Sequence, residues 1–325
     1  MQYRRLPGTD LEVSVVGFDG FTVGSNWRAG MEEKKRIRLL EEALHMGINF
    51  FDMADVYGQG YGEELLSKAF KQNRHDVIIG TKFGYALHDV QSLLNPDRPA
   101  QRFDKEYVRY SCEWSLRRLK TDYIDLYQIH DPPSDSADIA ELFFLLDDLV
   151  DEGKIRYYGA AFTQDIDAAI DGIELLNGTN AVTLQIPLTI SDCQRNNKIM
   201  SLANDRGIGL IGRLSNPIAK SLLADDYRDT DSSGRNVDAG RETVDLESKE
   251  MASISQKSIY DQFEITRTQF EINVHLSRLS ILSVLGNITT TAELLEHIDA
   301  LDTKTITLEE IDVLKKLLLG EFRID

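Results

Sequence analysis

Thiols are scarce in this chain: Cys112 and Cys193 are the only two among 325 residues. With so few cysteines, and no basic stretch leading into an apolar one at the start, the sequence reads as that of a cytoplasmic protein. Neither C-x-x-C nor H-x-x-x-H spacing occurs, so no metal is expected. No apolar run approaches the roughly 20 residues that cross a bilayer, so no membrane span is expected. Cations are also in deficit. Lys and Arg number 36 against 54 Asp and Glu, a formal net charge of -18. Such a surface repels polyanions over a Debye length, which excludes nucleic acid and acidic membranes as partners and leaves a small molecule or a protein. No linker rich in Pro, Gly or Ser interrupts the chain, so residues 1–325 are expected to form one domain. Nothing in the pattern bears on oligomeric state.

What is present is rhythm. Hydrophobic residues make up 42% of the chain, enough for a sizeable core. From residue 13 onward short apolar runs alternate with helical patterns, as in repeated βα units of a parallel sheet. The runs end at Phe18, Asp52, Lys82, His130, Ala161, Gln185, Arg213 and Leu285. Eight runs fit a closed (β/α)8 barrel of the TIM type. Between them, Ile37, Leu40 and Leu44 share one helical face before Gly47, and Leu142, Leu145, Leu146 and Leu149 share another before Gly153. Each glycine stands where a helix end wants one. Residues 225–257 are acidic and aperiodic and are expected to form a long loop after the seventh strand. Residues 86–104 read as a second loop on the same face, and together the two could lid the barrel mouth.

In such a barrel the side chains at the C-terminal strand ends converge, and neighbouring strands lie about 4.8 Å apart. Asp52, Lys82 and His130 end three consecutive strands, and Tyr57 follows Asp52 by five residues. Singly, each has a structural reading: a capping Asp, a rim Lys, a surface Tyr, a satisfied core His. Together they suit proton transfer to a carbonyl oxygen. A phenol titrates near 10 and is a poor acid at neutral pH, but an adjacent ammonium stabilises the phenolate. Lys82 can supply that charge, Asp52 can hold Lys82, and His130 can hydrogen-bond and orient the same oxygen.

The stretches GINFFDMADVYGQGYGEELLSKAF, VIIGTKFG and SLRRLKTDYIDLYQIHDPP resemble the best-marked segments of the aldo-keto reductases. More weakly, VDEGKIRYYGAAF, AVTLQIP and the last βα unit extend the likeness over nearly the whole chain. The resemblance implies a catalytic tetrad of Asp52, Tyr57, Lys82 and His130, with NAD(P)H lying across the mouth. Hydride would pass to the carbonyl carbon of a small carbonyl or sugar-like substrate while Tyr57 delivers the proton. Cofactor contacts are implied for Phe21, Thr22, Asp52, Gln185, Ser215, Thr289, Thr290, Glu293 and His297. A largely aromatic substrate pocket is implied from Trp27, Tyr57, Tyr85, His130 and Phe162.

Several family positions are altered. Gly159-Ala160-Ala161-Phe162 stands where Gly-Val-Ser-Asn is usual, leaving Gln185 alone of three side chains that grip the nicotinamide carboxamide. Leu188 and Thr189 replace a Tyr-Asn pair. Ser215 takes the place of a residue that stacks on the ring, and nearby Arg213 reads as a salt-bridged residue of the rim whose direction strand parity leaves open. No Lys or Arg occurs between Arg278 and Lys304, so the adenosine end offers no cation to a 2′-phosphate. Asp19 puts a carboxylate where Gly-Phe-Gly-Gly is expected, either capping the Phe21–Gly24 turn or serving the site. Weak cofactor binding without strong preference for the phosphorylated form is therefore expected. The altered contacts leave a second reading open, a cofactor-independent dehydratase, isomerase or lyase on the same barrel. A third is an interaction subunit that docks through the acidic loop.

Overall fold

Residues 1–25, 31–87, 100–132, 138–162, 166–188, 193–214 and 265–302 are described by a computed structural model. Eight parallel strands close into a barrel. They are β3 (Val16–Asp19), β4 (Phe50–Asp52), β5 (Ile78–Phe83), β6 (Ile124–His130), β7 (Ile155–Ala161), β8 (Thr183–Leu188), β9 (Gly209–Leu214) and β10 (Ile281–Gly286). They stand in chain order around the ring, and β10 pairs with β3 to close it. Each run read from the sequence lies within or beside one of these strands, and β8 continues three residues past Gln185. The hairpin formed by β1 (Tyr3–Arg5) and β2 (Glu12–Ser14) was not anticipated, because three-residue strands are too short to show a period.

Alternation along the strands separates two cores. One face of each strand points out under the helices, where Phe18, Phe51, Ile79, Tyr127, Ile129, Tyr158, Leu184 and Leu210 are buried. The other face points into the barrel. Phe50, Ile78, Leu126, Ile211 and Leu285 fill its floor, and the hairpin seals that floor from below with Leu6, Leu11 and Val13. Full burial of each such side chain is worth about 1.5–3 kcal/mol. Two residues further along the same inward face, leucines and isoleucines give way to Asp52, Gln128 and Arg213, each two positions beyond a floor residue. The barrel is greasy at the bottom and ionic at the top.

The helices follow the apolar faces. In α2 (Glu33–His45) Leu40 is fully buried, with Ile37 and Leu44 packed at the edge of the outer core. In α5 (Asp138–Asp151) Leu142, Leu145, Leu146 and Leu149 are all buried. Gly47 and Gly153 both take positive φ, as the helix-end reading requires. The remaining helices are α1 (Phe21–Gly24), α3 (Tyr61–Ala69), α4 (Lys105–Leu119), α6 (Ile166–Gly172), α7 (Cys193–Asp205), α8 (Arg267–Leu276) and α9 (Thr291–Asp299). The 225–257 loop lies outside the described residues, as does 88–99 of the second loop. Tyr85 and Gln101, at the ends of that second loop, form an isolated antiparallel bridge. Among the described residues no helix is long and apolar enough to cross a membrane.

A buried ion pair braces the segment that follows β4. Arg118 of α4 donates to Glu63 of α3 at 2.6 Å, and Thr81 of β5 donates to the other oxygen of Glu63 at 2.7 Å. The Glu63 side chain is fully buried. Removing one partner of such a pair strands a charge in a poor solvent for it. Arg118→Met is therefore expected to cost about 3 kcal/mol or more in urea unfolding. A loss under about 1 kcal/mol would mean that Glu63 finds water or another cation.

Candidate active site

Asp52 and Lys82 meet at the centre of the mouth. Lys82 Nζ lies 2.5 Å from Asp52 Oδ2, and both side chains are fully buried. The pair is wrapped in further hydrogen bonds. Lys82 also donates to the Met53 carbonyl at 2.8 Å, Gln128 donates to Asp52 Oδ1 at 3.1 Å, and Gln185 donates to Asp52 Oδ2 at 3.2 Å. Gly80, the register partner of Asp52, leaves room for that carboxylate. Burial pushes the Asp52 carboxyl up and the Lys82 ammonium down, and each charge restrains the shift of the other.

Tyr57 is carried over the pair by a loop docked on β5. The Asp55 N–H donates to the Lys82 carbonyl at 3.2 Å, tying the loop to the strand that bears the lysine. Beyond Tyr57 the chain turns through Gly58, Gln59 and Gly60, all at positive φ. A side chain on Gly58 would run into the Gly24 carbonyl, and one on Gly60 into Arg118. Lys82 Nζ lies 5.6 Å from the Tyr57 ring centroid. The phenol oxygen takes no hydrogen bond among the described residues. Burial raises the phenol's pKa, with the Arg213 charge opposing.

A wall of rings and one cation runs round the mouth from β9 to β6. Arg213 Cζ is 5.7 Å from the Phe21 ring, and Phe21 meets Tyr57 edge to face at 5.2 Å. Tyr57 faces His130 at 6.3 Å, and His130 meets Tyr85 at 5.0 Å. Arg213 is salt-bridged, as read from the sequence. Its partner is Asp19, at 2.8 Å across the mouth. It shares the inward face of β9 with Ile211, which settles the direction that strand parity left open. Asp19 also accepts from the Phe21 N–H at 2.9 Å, so it does cap the Phe21–Gly24 turn. Burial works against the Arg213 charge, but Asp19 outweighs it and holds the guanidinium above its ordinary pKa.

The other expected contacts divide. Phe21, Tyr57, Tyr85, His130 and Gln185 gather at the mouth. Phe162 does not: its ring packs on Gly172 of α6 in the outer core, so the substrate contact expected of it is corrected. The peptide after the strand turns that side chain outward. Thr22 is buried, with its hydroxyl 3.5 Å from the Ile288 carbonyl. Thr290 and Glu293 form a capping box at the start of α9. In it, Glu293 Oε2 accepts from the Thr289 N–H at 2.7 Å, the Thr289 hydroxyl at 2.6 Å and the Thr290 N–H at 3.1 Å. His297 is buried against Gly286 and donates from Nδ1 to the Glu293 carbonyl at 2.7 Å. Trp27 and Ser215 lie outside the described residues.

The structure is thus a parallel eight-stranded barrel with a carboxylate, an ammonium, a phenol and an imidazole gathered at its C-terminal mouth. The model of the aldo/keto reductase family matches residues 16–318, and the chain belongs to that family. It is thus an NAD(P)H-dependent oxidoreductase. It is 29% identical over 315 residues to the uncharacterized oxidoreductase YqkF of Bacillus subtilis (strain 168), covering 97% of this chain and 96% of that one. It is 32% identical over 224 residues to the NADH-specific methylglyoxal reductase of Escherichia coli (strain K12), covering 66% of this chain and 67% of the relative. The holo form of an aldo-keto reductase from Bacillus halodurans superposes with a TM-score of 0.74 at 27% identity, covering 98% of this chain and 96% of the other.

The mouth fits a nicotinamide carboxamide at one place. Gln185 spends an amide donor on Asp52, and its buried Oε1 has no partner among the described residues, leaving an acceptor for an amide N–H. His130 offers a neutral ring. Burial, with the Lys82 and Arg213 charges adding, holds its pKa well below 6.5. The unfolded chain protonates there as pH falls through about 6.5, whereas the folded chain resists. The stability contribution of a neutral His130 is therefore complete above that pH and is lost as pH falls toward the folded pKa. His130→Gln is expected to remove about 1 kcal/mol of the wild-type loss of stability between roughly pH 7 and 5.5. Urea midpoints at the two pH values measure it, and equal pH dependence in the two proteins would mean that His130 titrates normally.

Proposed function

We propose that this protein reduces a small neutral carbonyl compound, with Tyr57 as the proton donor to the carbonyl oxygen. The reading is carried by the fully buried Lys82–Asp52 pair beside a phenol that has no hydrogen-bond partner among the described residues. When bound, the nicotinamide cofactor supplies the hydride, and Gln185 Oε1 is the group that would hold its carboxamide. The chain's own residues govern the proton. A phenol at the mouth with a raised pKa keeps its proton until a developing alkoxide claims it. Lys82 then stabilises the phenolate left behind, and Asp52 keeps Lys82 charged and in place. His130, neutral throughout, aligns the carbonyl oxygen by hydrogen bonding without competing as an acid. Phe21, Tyr57, Tyr85 and His130 form an apolar and aromatic surface against which a small substrate can exclude water.

A cofactor-independent acid/base enzyme that used Asp52 or Asp19 as its base would need that carboxylate free. Asp52 is held by Lys82 and two glutamines, and Asp19 is held by Arg213 and a backbone N–H. Neither is free, which favours the reductase. Tyr57→Phe is expected to lower kcat by about 10²- to 10⁴-fold with unchanged thermal unfolding, and Lys82→Met to lower it similarly while also lowering stability, because it strands the buried Asp52 carboxylate. Carbonyl-dependent oxidation of NADH followed at 340 nm reads this. Retention of more than about a tenth of the rate in Tyr57→Phe would take the proton-donor role from Tyr57.

The unphosphorylated cofactor is the expected partner. At the start of α9 the Glu293 carboxylate already takes the backbone and hydroxyl donors that an incoming phosphate would need. A dianionic 2′-phosphate brought there meets an anion in place of a cation. The NADH-specific relative supports the same choice. Calorimetric titration is expected to show NADH bound at least as tightly as NADPH, and Glu293→Gln to narrow the gap by about tenfold or more. Tight, selective NADPH binding by the unaltered protein would overturn this assignment.

A further inference from the structure

Two carboxylates stand side by side at the mouth, because Asp19 of β3 and Asp52 of β4 are register partners. Each has its own cation. Lys82 neutralises Asp52 from within the barrel, whereas Asp19, fully buried, is paired with Arg213 reaching over from β9. The two pairs differ in what they leave over. Every charged group of the Lys82 pair is sealed from solvent, but the Arg213 side chain keeps 17% of its surface exposed. Its Nε serves Asp19, and the other guanidinium N–H donors have no hydrogen-bond partner among the described residues. The Phe21 ring touches both, with Arg213 Cζ 5.7 Å from its centroid and the Tyr57 ring 5.2 Å away. A cation with spare donors therefore sits one ring away from the phenol.

An unopposed guanidinium in that position would draw in carboxylates, since its N–H fork matches their two oxygens. Asp19 changes this by cancelling the charge at contact distance and by repelling any second anion that approaches. We propose that Asp19 is a specificity-determining residue, which by neutralising Arg213 makes the mouth select neutral carbonyl compounds over carboxylated ones. The spare donors of Arg213 then serve hydroxyl or oxo oxygens on the substrate. This rests on the reading of the mouth as the site of carbonyl reduction.

The test compares 4-formylbenzoate with its methyl ester, two aldehydes that differ in one charge. The unaltered enzyme is expected to favour the ester in kcat/KM. Asp19→Asn should shift the ratio toward the carboxylate by about tenfold or more, and Arg213→Gln should shift it the opposite way. The double variant should return it near the starting value. Ligand-observed NMR titration of benzoate and benzamide gives a second readout that needs no turnover: Asp19→Asn gains affinity for benzoate but not for benzamide. An unchanged ratio and unchanged benzoate affinity in Asp19→Asn overturn the proposal, as does a gain that survives in the double variant. Should Asp19→Asn not fold, comparison of Arg213→Gln with the double variant decides, because identical ratios would mean that Asp19 contributes nothing. Absence of any aldehyde turnover would count against the reductase reading, while the benzoate titration would still judge Asp19.

Discussion

The buried contact between Lys82 and Asp52 sets the terms for everything around it. Two charges removed from water cost several kcal/mol each, and their attraction offsets this only when every remaining hydrogen-bonding position is also filled. The Met53 carbonyl, Gln128 and Gln185 fill those positions from three different stretches of the ring, so the barrel must be closed and in register for the pair to be tolerable. Gly80 yields the space. Beneath the pair an apolar floor keeps water from arriving from below, and above it Tyr57 is delivered by a loop hydrogen-bonded to the lysine's own strand. Chemistry and architecture share one set of contacts here. Loosening the strand register would leave a charge unpaired in the interior, and removing either glutamine would take one hydrogen-bond donor from the buried carboxylate.

Much of this was legible in the sequence, for a reason that lies in strand geometry. A buried parallel strand reads as an apolar run, and its last inward residue is conspicuous when it is Asp, Lys or His. Asp52, Lys82 and His130 stood out in that way. Gln128 did not, because a glutamine two positions before His130 inside an apolar run resembles any strand polar residue; its inward parity with His130 was the available signal. Arg213 reads from the sequence as a rim residue, although it lies two positions beyond the inward Ile211. The hairpin at the N-terminus was silent because three-residue strands carry no period. Phe162 escapes the pattern because a residue just past a strand end no longer obeys the strand's alternation, and its ring turns out toward Gly172.

The departures from the family pattern have a common character. Where side chains that could reach outward to a ligand are usual, this chain has groups that satisfy one another. Glu293 caps its own helix, His297 bonds the Glu293 carbonyl, and Asp19 holds Arg213. Each internal pairing stabilises the scaffold and removes a charged or polar group from circulation. On the proposed reading, recognition falls to Gln185 Oε1, to the aromatic wall and to the remaining donors of Arg213, a sparser set that relies on shape and burial.

Arg4 reaches from the N-terminal hairpin to the last part of the barrel. Its guanidinium donates to the carbonyls of Leu276 at 2.7 Å and Arg278 at 3.1 Å, and also to that of Ile281, while β10 completes the ring by pairing with β3. The two ends of the described barrel are thus stitched together across more than 270 residues of chain. On a ribosome, the first barrel strand emerges early and its outer edge waits, with hydrogen-bonding groups bare, until nearly the whole protein has been made. At about 5–20 residues per second that interval lasts many seconds. During that wait the net charge of -18 on the whole chain is what opposes edge-to-edge pairing with other copies.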